Sequence, residues 1–377
     1  MKQMNNILVI IIFLFSISAY LLYASNSGQF TESDNKGFQI KSSEYWDLKG
    51  TPIFINNSDP LYNWNKFAAE NEWCLGSGIW GDPFRIENVT IDGLGKDSCI
   101  KIINSYVPFE IKNCILYNAS VGIYLDNTYN GFLLNNTCFE NNIGIECYEE
   151  CNNISIVRNT LFGNSYGLLI SFCNSTHIVE NRIFENSENG IQLTVCINTI
   201  IEENNISKNY GEMGAILDVE SEKSIYIGNR IQENLIGIFI GGSSNILVTK
   251  NLFLKNTRGG LNTSFCDLEN LAYLNCFVSN GINAQDKGLS FNWDNGSVGN
   301  YWDDYTGIDS NENGIGDTPY YIQGLPDVPD NYPLMSCPFY SSKNKIISGY
   351  NEFTMIIFSV IFLLISIIYL KKKHLSF

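Results

Sequence analysis

The sequence predicts an all-β fold, a right-handed parallel β-helix (a solenoid of about nine coils) with a repeat of about 23 residues. Three observations lead to this prediction. An Asn-rich phrase recurs at nearly constant spacing, a Gly-aliphatic phrase follows each copy, and apolar residues then alternate at every second position. Short strands and Asn or Gly turns that repeat at one period are typical of parallel β-solenoids.

The first phrase is Asn-x-apolar-x-x-Asn, and its copies begin 23, 23, 22, 23, 25, 22 and 24 residues apart. Asn suits the corners of a coil because it tolerates the left-handed conformation, and because its amide bonds to the backbone or to the Asn of the next coil. We therefore expect the Asn residues to stack in ladders. The eight copies begin at Asn113, Asn136, Asn159, Asn181, Asn204, Asn229, Asn251 and Asn275.

The second phrase, Gly followed by a large aliphatic residue, begins a strand in each coil. The alternation that follows it, as in Ile123 and Leu125, has the period of a β-strand. A leucine-rich repeat has a similar length, but its Leu-x-x-Leu-x-Leu run and its helical stretches are missing here. The phrase occurs at Gly122, Gly144, Gly167, Gly190, Gly237, Gly260 and Gly281, and with one extra residue at Gly214.

Two apolar runs lie near the ends of the chain. The first, from Ile7 to Tyr23, is either a secretory signal or an uncleaved signal anchor. The second, from Phe353 to Leu370, is followed directly by three lysines, and lysines at this position stay in the cytoplasm. We expect a single-pass or double-pass protein of the cell membrane with an extracellular β-helix and a cytoplasmic C-terminal tail.

These patterns divide the chain into eight segments. An aromatic-rich segment before the first coil is expected to cap the stack, and within it Asn63 to Asn71 is expected to form a short helix. The segments are a signal peptide or signal anchor (1–25), a spacer (26–44), an N-terminal cap (45–87), the parallel β-helix repeats (88–284), a C-terminal cap with a calcium loop (285–340), a linker (341–352), a transmembrane helix (353–370) and a cytoplasmic tail (371–377).

The chain is acidic, with a formal net charge of −16. The part outside the membrane is more acidic still, because four of the basic residues lie at the two ends. This charge disfavours nucleic acid and anionic lipid as partners. Nine Asn-x-Ser/Thr sequences predict a glycoprotein, at Asn56, Asn88, Asn118, Asn135, Asn153, Asn174, Asn205, Asn262 and Asn295.

Eleven cysteines fit an exported protein. Cys151, Cys173 and Cys196 follow their opening Asn by 15, 14 and 15 residues, so we expect them to stack in one ladder. Neighbouring coils are close enough for a disulfide. A ladder of buried free thiols is equally compatible with this spacing.

The two ends of the repeat region carry a resemblance to known proteins. Glu72-Trp73-Cys74, with the segments 76–83 and 86–93, resembles the opening of archaeal surface proteins with right-handed β-helix repeats. The segment 299–306, with 309–320 and 330–335, resembles the end of NosD-like β-helix domains. The resemblance implies the pectin-lyase-like fold, whose members include lyases, hydrolases and binding rods. It also implies copper binding, since NosD proteins are described as periplasmic copper-binding factors.

The sharpest local signal is a loop with the ligand spacing of a calcium site. It has side-chain oxygens at positions one, three, five and nine, a Gly at six and a carbonyl at seven. Position twelve is Tyr320, so the bidentate Glu of an EF-hand is absent. We predict structural calcium here, and the alternative is an Asx-turn loop without an ion. The predicted metal ligands are Asp309, Asn311, Asn313, Ile315 and Asp317.

Copper binding and catalysis find less support in the residues. Copper prefers His, Met or Cys ligands, yet the part between the apolar runs has one histidine, His177, and no Cys-x-x-Cys motif or Met cluster. The acids at the fifth position of the Asn phrase, Glu140, Glu185 and Glu233, are interleaved with other residue types. That pattern indicates a solvated face rather than a catalytic carboxylate pair. We predict no catalytic and no cofactor-binding residues, and copper is not expected.

These observations predict a membrane-anchored extracellular β-helix that binds carbohydrate or a cell-envelope protein and is not an enzyme. Repeated side chains form ladders, and a ladder matches a repeating ligand such as a glycan. The first alternative is a polysaccharide lyase or hydrolase of the pectin-lyase-like class. The second is a NosD-like copper delivery factor. The ligand, the coil face that binds it and the oligomeric state stay open.

Overall fold

The computed structural model describes residues 40–41, 45–266, 269–288, 291–324 and 328–340. The two apolar runs, the linker 341–352 and the C-terminal tail lie outside the described residues, as does most of the spacer. Within the described part of the chain, no helix is long and apolar enough to cross a membrane.

The described residues form one short α-helix, α1 (Trp64–Glu70), and many short strands. In chain order the strands are β1 (Ile40–Lys41), β2 (Trp46–Asp47), β3 (Ile53–Asn56), β4 (Cys74–Leu75), β5 (Phe84–Glu87), β6 (Val89–Ser105), β7 (Phe109–Lys112), β8 (Ile115–Thr128), β9 (Gly131–Leu134), β10 (Thr137–Phe139), β11 (Ile143–Tyr148), β12 (Asn152–Val157), β13 (Thr160–Phe162), β14 (Tyr166–Ser171), β15 (Asn174–Val179), β16 (Arg182–Phe184), β17 (Ile191–Thr194), β18 (Ile200–Glu202), β19 (Asn205–Ser207), β20 (Ile216–Val219), β21 (Ile225–Ile227), β22 (Arg230–Gln232), β23 (Ile236–Gly241), β24 (Leu247–Thr249), β25 (Leu252–Leu254), β26 (Gly259–Ser264), β27 (Asn270–Tyr273), β28 (Cys276–Val278), β29 (Ala284–Asp286), β30 (Phe291–Asn292), β31 (Tyr301–Trp302), β32 (Tyr320–Gly324) and β33 (Val328–Asp330).

The strands stack in three parallel faces, and each complete coil contributes one strand to each face. The first face contains β10, β13, β16, β19, β22, β25 and β28; the second contains β11, β14, β17, β20, β23, β26 and β29; the third contains β9, β12, β15, β18, β21, β24 and β27. Paired residues are 22 to 25 positions apart in sequence. The prediction of a right-handed parallel β-solenoid with a repeat near 23 residues is confirmed.

The interior of the coils is filled by columns of apolar side chains. The third position of the Asn phrase forms one such column, and its members are fully buried. They are Cys138, Leu161, Ile183, Ile206, Ile231, Phe253 and Phe277. One coil buries too few side chains to offset the entropy lost on ordering it, so the coils are stable only as a stack.

The opening Asn residues form a buried ladder of hydrogen bonds along the stack. Asn204 shows the pattern. Its Oδ1 accepts from the backbone N (2.8 Å) and the Nδ2 (2.9 Å) of Asn181 in the preceding coil. Its Nδ2 donates to Ile178 O (2.8 Å) and to Oδ1 of Asn229 in the following coil (2.9 Å). All polar atoms of the amide are therefore satisfied although the residue is buried.

The closing Asn of each phrase builds a second ladder with the same pattern. For example, Asn209 accepts from the backbone N and Nδ2 of Asn186 and donates to Asn234 and to a backbone carbonyl. The ladder comprises Asn141, Asn164, Asn186, Asn209, Asn234, Asn256 and Asn280. The expected stacking of Asn at the corners is confirmed.

The structure corrects the first copy of the phrase and adds a ninth. Asn113 does not open the first ladder; Cys114 holds that position, because the Cys114 N donates to Oδ1 of Asn136 and Leu116, not Ile115, is fully buried. Asn113 adopts a left-handed conformation one residue earlier, with φ 53°. At the other end, Asn300 continues the ladder beyond Asn275, because its Oδ1 accepts from the Asn275 N and Nδ2.

The N-terminal end of the stack is covered by α1 and the strands around it. The helix begins after Asn63, whose side chain accepts from the Lys66 N, as the sequence predicts. Trp64 is fully buried, and its Nε1 donates to Ser105 Oγ over 2.9 Å. Its ring stacks on Phe84 with the centroids 5.1 Å apart. A single aromatic side chain thus covers the interior of the first coil.

The C-terminal end is covered by stacked aromatic rings and one buried carboxylate. The Trp302 ring lies between Phe277 and Tyr320, with centroid distances of 4.4 and 4.3 Å. Asp330, which is fully buried, accepts at Oδ2 from the Asn300 N (2.7 Å) and from Trp302 Nε1 (2.9 Å). The carboxylate therefore ends the first Asn ladder.

The cysteines follow the predicted ladder, and the structure adds a pairing outside it. Cys151, Cys173 and Cys196 stack at one corner and are free thiols. The disulfide joins Cys276 on the outside of the first face to Cys337, across 61 residues. It fastens the end of the described chain against Leu252 and Leu254.

We predict that Asn204→Ala destabilises the fold by about 3–5 kcal/mol, because it leaves several buried donors and acceptors on three coils without partners. Asn205→Ala is the matched control, since Asn205 is adjacent but exposed, and we expect a change within about 0.5 kcal/mol. Urea denaturation followed by circular dichroism measures both. Equal effects of the two substitutions would show that the ladder contributes no more than a surface Asn.

A second prediction concerns pH. Burial raises the pKa of Asp330 to about 6. Hydrogen bonds from backbone and indole donors lower this pKa, but their effect is smaller than that of burial. The folded state therefore binds this proton more tightly than the unfolded state, so the contribution of Asp330 to stability is largest near pH 4 and falls as the pH rises to about 6. The loss is at most about 3 kcal/mol. Asp330→Asn should remove this slope from the urea midpoints measured between pH 4 and 7; parallel profiles of the two proteins would contradict it.

Candidate functional site

One outward column on the second face collects side chains of different chemistry. It begins in the N-terminal cap and continues through three neighbouring strands: Phe54 pairs with Lys101, Lys101 with Tyr124, and Tyr124 with Glu146. We call these four residues the track. The adjacent outward column places Asp126 beside Tyr124 and Tyr148 beside Glu146, because Asp126 pairs with Tyr148.

Lys101 and Tyr124 of the track contact each other, and both have acidic neighbours. The Lys101 Nζ lies 4.8 Å from the centroid of the Tyr124 ring and 3.3 Å from Asp97 Oδ2. The Tyr124 hydroxyl donates to Asp126 Oδ2 over 3.5 Å. A cation over an aromatic face and a phenol beside a carboxylate give this part of the coil both charge and hydrogen-bonding capacity.

Partial burial shifts the titration of these groups. It raises the pKa of Tyr124, and the negative charges of Asp126 and Glu146 raise it further. Burial also raises the pKa of Asp126 and of Glu146, while Lys101 acts in the opposite direction on both. Several titrating groups perturbed together on one surface are typical of a functional site.

Two clefts in the N-terminal cap adjoin the track and share Pro52 and Phe54. One has a volume of about 350 Å³ and the other about 540 Å³, which is the size range of ligand pockets. The smaller is also lined by Ile53, Lys96, Asp97, Ser98 and Lys101, and the larger by Leu61, Tyr62, Lys66, Phe67, Glu70 and Asn71. Phe54 and Tyr62 are 37% and 49% exposed, so aromatic surface is available to a ligand.

The lysines that line the clefts already have partners. Lys66 pairs with Glu70, Lys96 donates to the Gly50 carbonyl over 3.1 Å, and Lys101 pairs with Asp97. The positive charge of these side chains is therefore balanced or engaged locally. The clefts combine aromatic surface with neutralised polar groups.

A second group of aromatic residues forms a stack of rings on the first face. Tyr117, Phe139, Phe162 and Phe184 stack in line, with centroids 5.0 to 5.2 Å apart and planes within 10° of parallel. Their faces are covered by one another, and only ring edges reach the solvent. This stack stabilises neighbouring coils but does not offer flat surface to a sugar.

The acids predicted to lie on a solvated face occupy left-handed corner positions. Glu140, Glu185 and Glu233 have φ values of 54°, 55° and 58°. Glu185 pairs with Lys208 at 3.6 Å. The structure does not bring these carboxylates together at a cleft.

Asp126 and Glu146, which the sequence reasoning missed, do lie near each other beside the clefts. They are diagonal neighbours, because each pairs with the tyrosine beside the other. Their separation of 20 residues is two less than the local coil length of 22. The sequence carries that signal only when the outward positions of neighbouring coils are aligned.

The predicted calcium ligands lie in one exposed loop closed by its own backbone. Both oxygens of Asp309 accept from backbone donors, of Asn313 (3.1 Å) and Gly314 (2.7 Å). The Asn313 Oδ1 accepts from the Ile315 N, and Asp317 Oδ2 accepts from the Ser310 N. Asn311 Oδ1 also accepts from the Asn313 N. The loop thus gathers hard oxygen donors of the kind that calcium binds, and calcium stays a prediction.

The described residues hold no grouped ligand set for copper. Among them, no group of three or more His, Cys, Asp or Glu side chains is placed to hold a metal ion. His177 is exposed on the outside of the third face. Burial raises the pKa of the Cys138 and Cys196 thiols, the latter to about 11, which opposes the thiolate form that binds soft metals. Hydrogen bonds from Cys147 and Cys173 have the opposite effect on Cys151 and lower its pKa to about 3.

The family comparison supports the fold and the resemblance over the repeats. Residues 81–227 match the family described as "Periplasmic copper-binding protein (NosD)", and residues 166–300 match "Right handed beta helix region". The chain is a NosD-like right-handed β-helix protein. The two matches together run from the N-terminal cap to Asn300, the last Asn of the first ladder.

Several solved structures are similar to part of this chain, which spans less than two thirds of the first of them. The periplasmic alginate epimerase AlgG is 19% identical with a TM-score of 0.45, over 54% of this chain and 60% of that chain. The A-module of the Azotobacter vinelandii mannuronan C-5 epimerase AlgE4 is 14% identical with a TM-score of 0.38, over 57% and 66%. The GH136 lacto-N-biosidase from Eubacterium ramulus is 10% identical with a TM-score of 0.33, over 58% and 47%. No curated protein matches the sequence.

The calcium prediction has a direct test. At a calcium concentration 100 times the dissociation constant, binding to the folded state alone should stabilise the protein by about 2.7 kcal/mol. Asp309→Ala should abolish this gain, whereas Glu312→Gln, an exposed acid at a non-ligand position of the same loop, should keep it. Thermal unfolding with calcium and with chelator measures the effect. Identical midpoints in the wild type would identify the loop as an Asx turn without an ion.

Proposed function

We propose that this NosD-like β-helix is a membrane-tethered extracellular rod that binds a neutral glycan chain along the track and the two cap clefts, without cleaving it. The observation that carries the proposal is that two clefts of ligand size meet at the exposed Phe54, where the track begins. Aromatic surface flanked by a few polar groups is the usual lining of a small-molecule or glycan pocket.

The geometry of the track favours a ligand that repeats. Neighbouring members lie on successive coils, at a spacing of roughly 4.8 Å. A chain-like glycan that enters a cleft at Phe54 would continue over Lys101 and Tyr124 toward Glu146. The clefts would hold one end of the ligand and the column would contact its length.

The charges favour a neutral glycan over an acidic one. Two of the three cleft lysines form ion pairs with acids, and the third, Lys96, donates to a backbone carbonyl. Asp126 and Glu146 beside the track would repel an anionic sugar, as would the net charge of −16.

An extracellular location is consistent with the covalent structure. The Cys276–Cys337 disulfide suits an oxidising compartment. The apolar run from Phe353 to Leu370 and the lysines after it would supply the tether. Calcium in the Asp309–Asp317 loop would act as a structural pin of the C-terminal cap rather than as part of the binding site.

The test is binding of the full-length chain in detergent to immobilised neutral glycans and to polyuronates. We expect binding to neutral chains, weakened about tenfold by Phe54→Ala, an effect of about 1.4 kcal/mol. Tyr124→Ala should also weaken binding. Phe265→Ala is the control, because Phe265 is an aromatic residue that is 84% exposed and lies outside the track and clefts. Absence of binding to every glycan, or equal loss with all three variants, would refute the proposal.

Hydrolysis of the bound glycan is the second candidate function. The observation in its favour is the diagonal placement of Asp126 and Glu146, since diagonal neighbours have β-carbons roughly 7–8 Å apart and inverting glycosidases hold two carboxyl groups at a similar distance. Release of reducing ends, measured in the same binding samples and abolished by Glu146→Gln, would establish this activity. Binding without product release would favour the non-catalytic rod.

A further inference from the structure

The interior of the stack is not apolar in every coil. On the second face, Asp218 pairs with Leu193 in the coil before and with Ile240 in the coil after, so a carboxylate lies between two aliphatic side chains. Asp218 is fully buried. A buried charged or polar group without partners is unfavourable, so its surroundings must compensate for it.

Only one of the two oxygens of the Asp218 carboxyl group has a hydrogen-bond partner. The Tyr226 hydroxyl, itself fully buried, donates to Asp218 Oδ2 over 2.6 Å. Oδ1 has no hydrogen-bond partner, and neither has the Ser224 hydroxyl. Burial raises the pKa of Asp218. Nearby hydroxyls, which include those of Ser221 and Ser224, lower this pKa by a smaller amount. No basic side chain contributes to this environment.

The same part of the interior contains further hydroxyls without partners. On the third face, the inward column beside the corner reads Ile154, Thr176, Thr199, Ser224 and Ile246 in successive coils. The hydroxyls of Thr176, Thr199 and Ser224 are buried and unpartnered. Three coils thus carry a hydroxyl where the coils on both sides carry isoleucine, and a Ser or Thr side chain occupies less volume than Ile.

These oxygens are spaced for bridging rather than for direct contact. Equivalent side chains on neighbouring coils lie roughly 4.8 Å apart, which exceeds hydrogen-bond distance. A water molecule can bridge two oxygens at this separation, and it both donates and accepts. Such a molecule needs two to four polar partners and enough room. The oxygens of this column supply the partners, and its Ser and Thr side chains occupy less volume than the isoleucines on both sides.

We propose that the interior between Thr199, Ser224 and Asp218 is a binding site for buried water, with one molecule bridging Asp218 Oδ1 and Ser224 Oγ and another bridging Ser224 and Thr199. The coil that opens at Asn204 is then hydrated inside, as is the part of the preceding coil that carries Thr199. Its strands β20 and β21 should open more easily than those of the flanking coils.

The test asks whether one substitution raises or lowers the thermal midpoint. Val has nearly the shape of Thr but no hydroxyl. If the Thr199 hydroxyl is dry and unpartnered, Thr199→Val raises the thermal midpoint of the full-length chain. If the hydroxyl holds water, the substitution removes a partner of that water and lowers the midpoint by a few degrees. Thr160→Val on the outside of the first face is the control and should leave the midpoint unchanged.

A crystal structure of the full-length chain that resolves ordered water provides the second measurement. The proposal expects density within hydrogen-bond distance of both Asp218 Oδ1 and Ser224 Oγ, with no anomalous signal after soaking in rubidium salt. A direct hydrogen bond between the two side chains, or a rubidium peak that identifies a cation, would overturn it. A raised midpoint for Thr199→Val would overturn it as well.

Discussion

The stacked amides of Asn set the register on which the rest of the structure depends. Each buried Asn ties the coil before it to the coil after it, through two accepted and two donated hydrogen bonds. A slip of one residue would break these bonds and would also move every inward side chain to the outside. The same register brings Lys101, Tyr124 and Glu146 together, although each lies more than twenty residues from the next in sequence. The candidate binding surface is thus a consequence of the corner chemistry.

Much of this arrangement was predictable because the repeat is periodic. Asn136 to Asn275 all hold the positions expected from their spacing. The prediction was wrong at the first copy, where Asn113 matches the pattern by chance and a thiol residue takes the ladder position. It also stopped one coil early, because Asn300 is followed by Tyr301 and Trp302 rather than by the usual short phrase. At the ends of a stack the cap packing decides the structure, and the repeat pattern no longer applies.

The candidate site was harder to predict than the fold. Outward positions are free to vary, so their chemistry shows no period, and Asp126 and Glu146 resemble ordinary surface acids until the coils are aligned. The Cys276–Cys337 disulfide was missed for a related reason, since Cys337 lies in a segment without any repeat. Conversely, aromatic residues at the same position of four successive coils, from Tyr117 to Phe184, have the sequence pattern of a ligand-binding surface. In the structure these rings pack against one another.

The Asn ladders also give the rod a direction. In each rung one side-chain N–H points toward the C-terminal end and the carbonyl oxygen toward the N-terminal end, so the side-chain dipoles add, as peptide dipoles do in a helix. The C-terminal end of the first ladder therefore presents donors only, and Asp330, an acceptor when ionised, closes it. At the N-terminal end, the Oδ1 of Asn136 accepts from one backbone N–H, which Cys114 supplies. Coils could be duplicated or deleted in the middle of such a rod without altering either end, whereas the two terminal caps are not interchangeable.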